Sequence, residues 1–258
     1  MKYTFRVPMA QYAYLELESD NKEDLPEMEQ LYNHYSEKSV DFSNGGFEKL
    51  TSFTGEEILY NDATHQYKDL DGNLLLSGSA YKKSLDKPFD LEAISKAVGT
   101  KHDVEQQVIK DMWSHNGQTS KHFGNAIHWA MEQWFRYKAT GEGMEGKEYH
   151  LPKHPYLRNV IDTFPLKDEN ILPEVMVSDV KNKRVGQIDA LLATDEKKCK
   201  IIDYKSDAKI EDNIKGHFEQ LSFYAHILIE NGWEVEGLEV WNYTDEWTKY
   251  ESPVLELK

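Results

Sequence analysis

Two aspartates sit where aspartate is disfavoured. Asp189 lies inside the apolar run Val185 to Ala193, and Asp203 inside Cys199 to Lys205, with the polar turn Thr194 to Lys198 between them. Both runs read as strands. A hairpin centred on Glu196 sets Asp189 opposite Asp203, with Cβ atoms about 4.5–5.5 Å apart, where like charges repel. A divalent cation turns that repulsion into coordination, and hard carboxylate oxygens suit Mg²⁺ or Mn²⁺, as one or two ions. Lys205 is two residues beyond Asp203 and shares its face, while Ile188, Ala190, Leu192 and Ile202 take the core face. Two carboxylates and an ammonium on one face are what metal-assisted phosphodiester hydrolysis needs: the cation activates water, and the lysine positions it or stabilises the phosphorane oxygens. On this repulsion argument, Asp203→Ala abolishes cleavage but spares or improves folding.

Further residues join this set by spacing. His128 and Glu132 are i, i+4 on a helix expected over 119–138, with Gly124 one turn earlier. Alone, such a pair is usually a solvated surface contact. Beside the aspartates, His128 reads as a metal ligand, Glu132 as the group orienting it, and Gly124 as a point of close backbone approach. Glu174 lies on a strand expected over 171–180, and a two-residue turn at Asn182-Lys183 sets Met176 opposite Asp189 with Glu174 on the same face. Glu174 is then either a third site carboxylate or an ion-pair partner of Lys205. Gln220 and Tyr224 share one face of a helix expected over 210–231; they either contact a phosphate and stack on a base or sugar, or pack on the sheet. Ser77 and Ser79, between a strand and a helix, either touch a phosphate or cap the helix.

Asp189 followed by Asp203-Tyr204-Lys205 resembles the PD-(D/E)xK nuclease signature. Gly124-Asn125-Ala126-Ile127-His128 upstream and Gln220-Leu221-Ser222-Phe223-Tyr224 downstream resemble motifs of its RecB-type exonuclease branch, over about residues 120 to 230. Asn125 departs from the branch's usual threonine, and the iron–sulfur cysteines of some relatives are missing. The resemblance implies a restriction-endonuclease-like α/β (α+β) core, a central mixed sheet flanked by helices. It also implies metal-dependent DNA exonuclease activity on linear, end-containing DNA, in recombination, repair or replication. Asp189, Asp203, His128 and the Tyr204 carbonyl are the implied metal ligands, and Lys205 and Glu174 the implied aids to the attacking water. A compact single-domain form with no helicase motif is similar to phage or mobile-element nucleases. The competing readings are a catalytically inactive DNA-binding module of a recombination assembly, an endonuclease, or an RNA phosphoesterase.

The bulk properties set bounds. The chain carries 46 acidic and 30 basic residues, a net charge of −16, which opposes nucleic-acid binding unless charge is locally segregated. Basic residues around the hairpin, Lys183, Arg184, Lys198 and Lys200 among them, offer such a local rim, or are merely solvated. The single cysteine, Cys199, forbids an internal disulfide. No apolar run suggests a membrane helix or a signal peptide, so the expected location is cytoplasmic. Residues 1–57 read as a small appendage, with a strand over 3–18 and an acidic helix over 24–36, suited to docking a recombination or replication protein. Residues 58–258 read as the nuclease core: a hairpin over 58–79 turning at Asp71-Gly72, helices over 91–98, 103–114 and 119–138, then the hairpins and closing strands.

Overall fold

The computed structural model describes residues 3–10, 13–19, 47–61, 64–86, 89–141 and 155–258. The expected acidic helix over 24–36 lies outside them, as do His150 and His154, which the sequence places in a loop as solvated residues. The chain divides into two compact units, residues 1–50 with 59–66, and residues 51–58 with 67–258. In the first, β1 (Tyr3–Ala10) and β2 (Ala13–Ser19) form an antiparallel hairpin with Phe5 opposite Leu17, two strands where the alternation had implied one. Three short strands follow in the chain: β3 (Glu48–Thr51), β4 (Glu57–Asn61) and β5 (Gln66–Lys68).

The larger unit is built on a mixed sheet in the order β11-β10-β9-β8-β6, with β7 on the other edge of β8. Its elements are β6 (Leu76–Ser77), α1 (Gly78–Leu85), α2 (Leu91–His102), α3 (Gln106–Thr140), α4 (Pro155–Thr163), β7 (Ile171–Asp179), β8 (Arg184–Asp195), β9 (Lys198–Lys205), α5 (Ile210–Glu230), β10 (Glu234–Tyr243) and β11 (Trp247–Ser252). β9 runs parallel to β10 and antiparallel to β8, and β6 runs parallel to β8. α5 and α1 cover one face through Tyr81, Phe218, Leu221, Ala225 and Leu228, packed on Ile188, Leu191 and Ile201. α3 and α4 cover the other through Ile127, Met131, Phe135 and Ile161, packed on Ala190, Ile202 and Tyr204. This is the mixed, helix-flanked sheet of a restriction-endonuclease-like fold.

Several expected boundaries move. The two helices expected over 103–114 and 119–138 are one 35-residue helix, α3. Gly117 weakens a helix interior by about 1 kcal/mol but does not end it, and Thr119 bonds back to the His115 carbonyl at 3.0 Å rather than capping a new start. Gly99 does not close α2; the helix runs to His102, and Asp103 takes the left-handed cap at φ 54°. Gly99 is needed because a Cβ there would lie 2.6 Å from the Val104 carbonyl oxygen. The 58–79 stretch is three short strands, though the Asp71-Gly72 turn is present, with Gly72 at φ 87° and the Lys68–Leu74 bridge behind it.

Candidate metal centre

The β8–β9 register is the expected one: Ala190 pairs with Ile202 and Ala193 with Cys199, which brings Asp189 level with Asp203. The β7–β8 register differs. Val180 to Lys183 form the turn, closed by the Lys183 N–H bond to the Val180 carbonyl at 3.1 Å. The Asp179 carboxylate accepts from Asn182 N and Nδ2 at 3.0 and 2.7 Å, and Lys183 takes a left-handed φ of 56°. This turn is two residues longer than Asn182-Lys183 alone. It moves Glu174, not Met176, to the position across from Asp189, since Pro173 pairs with Ala190 and Val175 with Ile188.

At that level both strands change face, with the pairing register the same on either side. Leu172 and Val175 of β7, and Ile188 and Leu191 of β8, all pack on the α5 side. Residues three apart on a regular strand point to opposite faces. The change of face falls at Glu174, which is strained at φ 51°, a cost of about 1–2 kcal/mol for a residue with a Cβ. It also separates Ile188 from Ala190 and Ile202, with which it was expected to share a face. The irregularity brings Glu174 and Asp189 beside His128 of α3. One ligand atom from each of His128, Glu174 and Asp189 lies within 4.8 Å of the other two.

Neighbouring contacts orient these side chains. His128 Nε2 lies 2.7 Å from the Tyr204 carbonyl oxygen, and Nδ1 lies 3.5 Å from Asp189 Oδ2. With Nε2–H donating to that carbonyl, Nδ1 carries the lone pair and faces the carboxylates. The Tyr204 carbonyl also accepts from Lys205 Nζ at 3.0 Å, so two donors occupy the oxygen expected to ligate metal. Asp189 Oδ2 accepts from Tyr204 N at 2.9 Å, and Glu174 Oε2 accepts from Gln187 Nε2 at 2.6 Å. Glu132 does not orient His128; its carboxylate accepts from Arg136 Nε at 2.8 Å, one turn along α3. A Cβ on Gly124 would lie 3.4 Å from Ser206 Oγ, so α3 approaches a side chain there rather than backbone.

Asp203 is not among the three clustered donors. It is 7% exposed, and its Oδ2 lies 2.6 Å from Lys205 Nζ and 3.9 Å from His217 Nδ1. Burial would raise its pKa, but Lys205 and then His217 hold it below the ordinary value. Asp203 is therefore a stabilised carboxylate. Burial likewise pulls Lys205 down, but Asp203 and Asp189 more than offset this and keep it charged. The clustered acids behave oppositely. Burial, then Asp189 and Glu132, push Glu174 up to about 8. Burial, with a contribution from Asp203, raises Asp189 against the opposing charges of His128 and Lys205. Two carboxylates that resist ionisation beside a histidine lone pair form a donor set that a hard divalent cation fits.

The remaining expected residues surround this centre differently. Ser77 caps α1, its Oγ accepting from Ala80 N at 3.2 Å, and Ser79 Oγ lies 3.1 Å from it. Tyr224 is 6% exposed, and its hydroxyl accepts from Gln220 Nε2 at 2.9 Å. A Cβ on Gly186 would lie 2.1 Å, and one on Gly78 2.2 Å, from Tyr224 Cε1. The ring is thus buried against two glycines, the arrangement expected of the packed alternative. It occupies a gap in the sheet: β9 pairs with β8 only over 190–195, and β6 only at 184–185. His217 and Lys82 were not anticipated. Lys82 Nζ lies 3.2 Å from His217 Nδ1, and burial drives His217 down to about 4, so it is neutral and accepts from the lysine. His217, Gln220 and Tyr224 are i, i+3, i+7 on α5, a stripe that could have revealed the histidine.

The fold is a restriction-endonuclease-like core, and it carries three clustered donors that could hold a metal ion. Residues 171–252, from β7 to β11, match the family model of the PD-(D/E)XK nuclease superfamily. The match holds Glu174, Asp189, Asp203 and Lys205; His128 lies outside it. No curated protein and no solved structure gives a match to the chain.

Proposed function

We propose that this protein is a metal-dependent deoxyribonuclease, and that it works as an exonuclease on linear DNA in recombination, repair or replication. The observation that carries the nuclease reading is the convergence of His128, Glu174 and Asp189 beside a charged Lys205. The exonuclease reading rests on the Gly124–His128 and Gln220–Tyr224 motifs and their resemblance to the RecB-type branch. Residues 1–57 are assigned as an accessory piece for a protein partner, and residues 58–258 as the nuclease.

His128 through Nδ1, with Glu174 and Asp189 through carboxylate oxygens, would hold Mg²⁺ or Mn²⁺. A cation bound there supplies positive charge to the phosphate oxygens and lowers the pKa of water. Tyr204 holds the imidazole in the tautomer that presents its lone pair. Asp203 fixes the Lys205 ammonium, which donates to the incoming water or to the phosphorane oxygens. Attack of the water oxygen on phosphorus breaks the bond to the leaving oxygen, which takes up a proton. Gln220 and Tyr224 hold the sheet open behind the acids rather than touching DNA.

The test uses 5′- and 3′-labelled linear DNA, single- and double-stranded, beside a covalently closed circle, with Mg²⁺, Mn²⁺ or EDTA. Metal-dependent loss of the linear DNA alone, absent from Lys205→Ala, supports the exonuclease. Cleavage of the circle makes it an endonuclease. DNA binding without cleavage favours an inactive module.

A further inference from the structure

α3 carries an unusual stretch of sequence. Met112 to Met131 is a run of 20 residues without Asp or Glu, the longest in a chain that holds 46 acidic residues. At the chain's average, about one residue in six, such a run would hold three or four. Ser114 to Lys121 is helical, and every residue in it is exposed. Its side chains are hydroxyls, amides, a histidine and a lysine. A helix that is polar all round gains nothing from packing, so its composition calls for another explanation. Among the described residues Lys121 has no ion-pair partner, whereas Lys110, earlier on α3, is paired with Glu92.

The stretch leads to the metal centre. Lys121 precedes His128 by seven residues, two helical turns, and Ser114 precedes Lys121 by seven more. The three share a face and are spaced about 10 Å apart along the axis. We infer that the exposed length of α3 from Ser114 to Lys121 is a DNA-binding arm, along which the phosphodiester backbone is led to His128, with Lys121 as its cationic contact. This rests on the nuclease reading above and deepens it by placing the substrate's path. Local exclusion of acids is how a chain of net charge −16 tolerates a polyanion. The exposed amides of Asn116 and Gln118 and the hydroxyls of Ser114 and Ser120 donate to phosphate oxygens without reading sequence.

The test measures binding of a labelled linear oligonucleotide to the full chain in EDTA, by fluorescence anisotropy over a salt series. It compares wild type with Lys121→Glu, with Gln118→Glu, and with Lys197→Glu on the β8–β9 turn. Circular dichroism checks that α3 persists, and glutamate is a good helix former. Lys121→Glu is expected to weaken binding about tenfold and to reduce the salt slope by about one, with a smaller loss for Gln118→Glu. Equal losses in Lys121→Glu and Lys197→Glu would show that only net charge matters and overturn the arm. So would unchanged binding in Lys121→Glu while the wild type still cleaves DNA with metal. Wild-type protein that neither binds nor cleaves DNA would instead remove the nuclease reading on which the arm depends.

Discussion

Glu174 stands across the β7–β8 ladder from Asp189, at the level where both strands change face and Glu174 adopts φ 51°. Two half-buried carboxylates in that relation repel when both are ionised, and a proton or a cation relieves the repulsion. Mn²⁺ affinity, measured by calorimetry, should fall at least tenfold in Glu174→Gln and in Asp189→Asn, while Asp203→Asn should retain most of it. Equal losses in all three would restore Asp203 as a ligand.

The same pair predicts a pH dependence of the metal-free protein. The folded pKa of Glu174 is raised to about 8, so between its unfolded value and 8 the folded state holds a proton that the unfolded state has lost. The protonated carboxyl therefore favours folding at low pH, and this contribution is lost as the pH rises towards 8. Melting temperature in EDTA should fall by several degrees over that window. Glu174→Gln should flatten the fall, and added Mn²⁺ should reverse it in wild type.

Lys205→Ala should lower the cleavage rate about 10²–10³-fold, the usual effect of removing one donor to developing charge. It should leave metal affinity nearly unchanged. Single-turnover cleavage beside the calorimetric affinity separates the two.

Asp203→Ala should destabilise the fold, the reverse of what repulsion between aligned aspartates implies. Asp203 is held below its ordinary pKa by Lys205, so its removal leaves the Lys205 ammonium, 23% exposed, without its closest anion. Urea denaturation should show a loss of about 1–3 kcal/mol. A stability gain would mean that repulsion from Asp189 dominates.

Tyr224→Ala should cost about 3–5 kcal/mol by leaving a cavity, whereas Tyr224→Phe should fold. Gly186→Ala alone should be destabilising, because its Cβ would fall 2.1 Å from the Tyr224 ring. Combined with Tyr224→Ala it should cost less than the sum, since the clash partner is gone. Additive losses in denaturant would place the ring elsewhere.

Sequence alone was enough for the local parts. Apolar runs broken by Asp189 and Asp203, with a polar turn centred on Glu196, determine the β8–β9 hairpin and its register, because register follows from turn position and strand period. The i, i+4 spacing of Gln220 and Tyr224 determines their shared face. What sequence could not decide was everything set by packing at a distance. The Asp179–Asn182 contacts lengthen the β7–β8 turn by two residues and so choose Glu174 over Met176 as the partner of Asp189. Which side chain orients His128 depended on how closely α3 approaches β9, which put the Tyr204 carbonyl within 2.7 Å and left Glu132 to Arg136. That the Asp203 carboxylate lies 2.6 Å from Lys205 and 3.9 Å from His217 of α5 was likewise set by packing between elements far apart in sequence. Spacing along a chain fixes which residues share a face; only the tertiary structure fixes which faces meet, because those distances are set by side chains far apart in sequence.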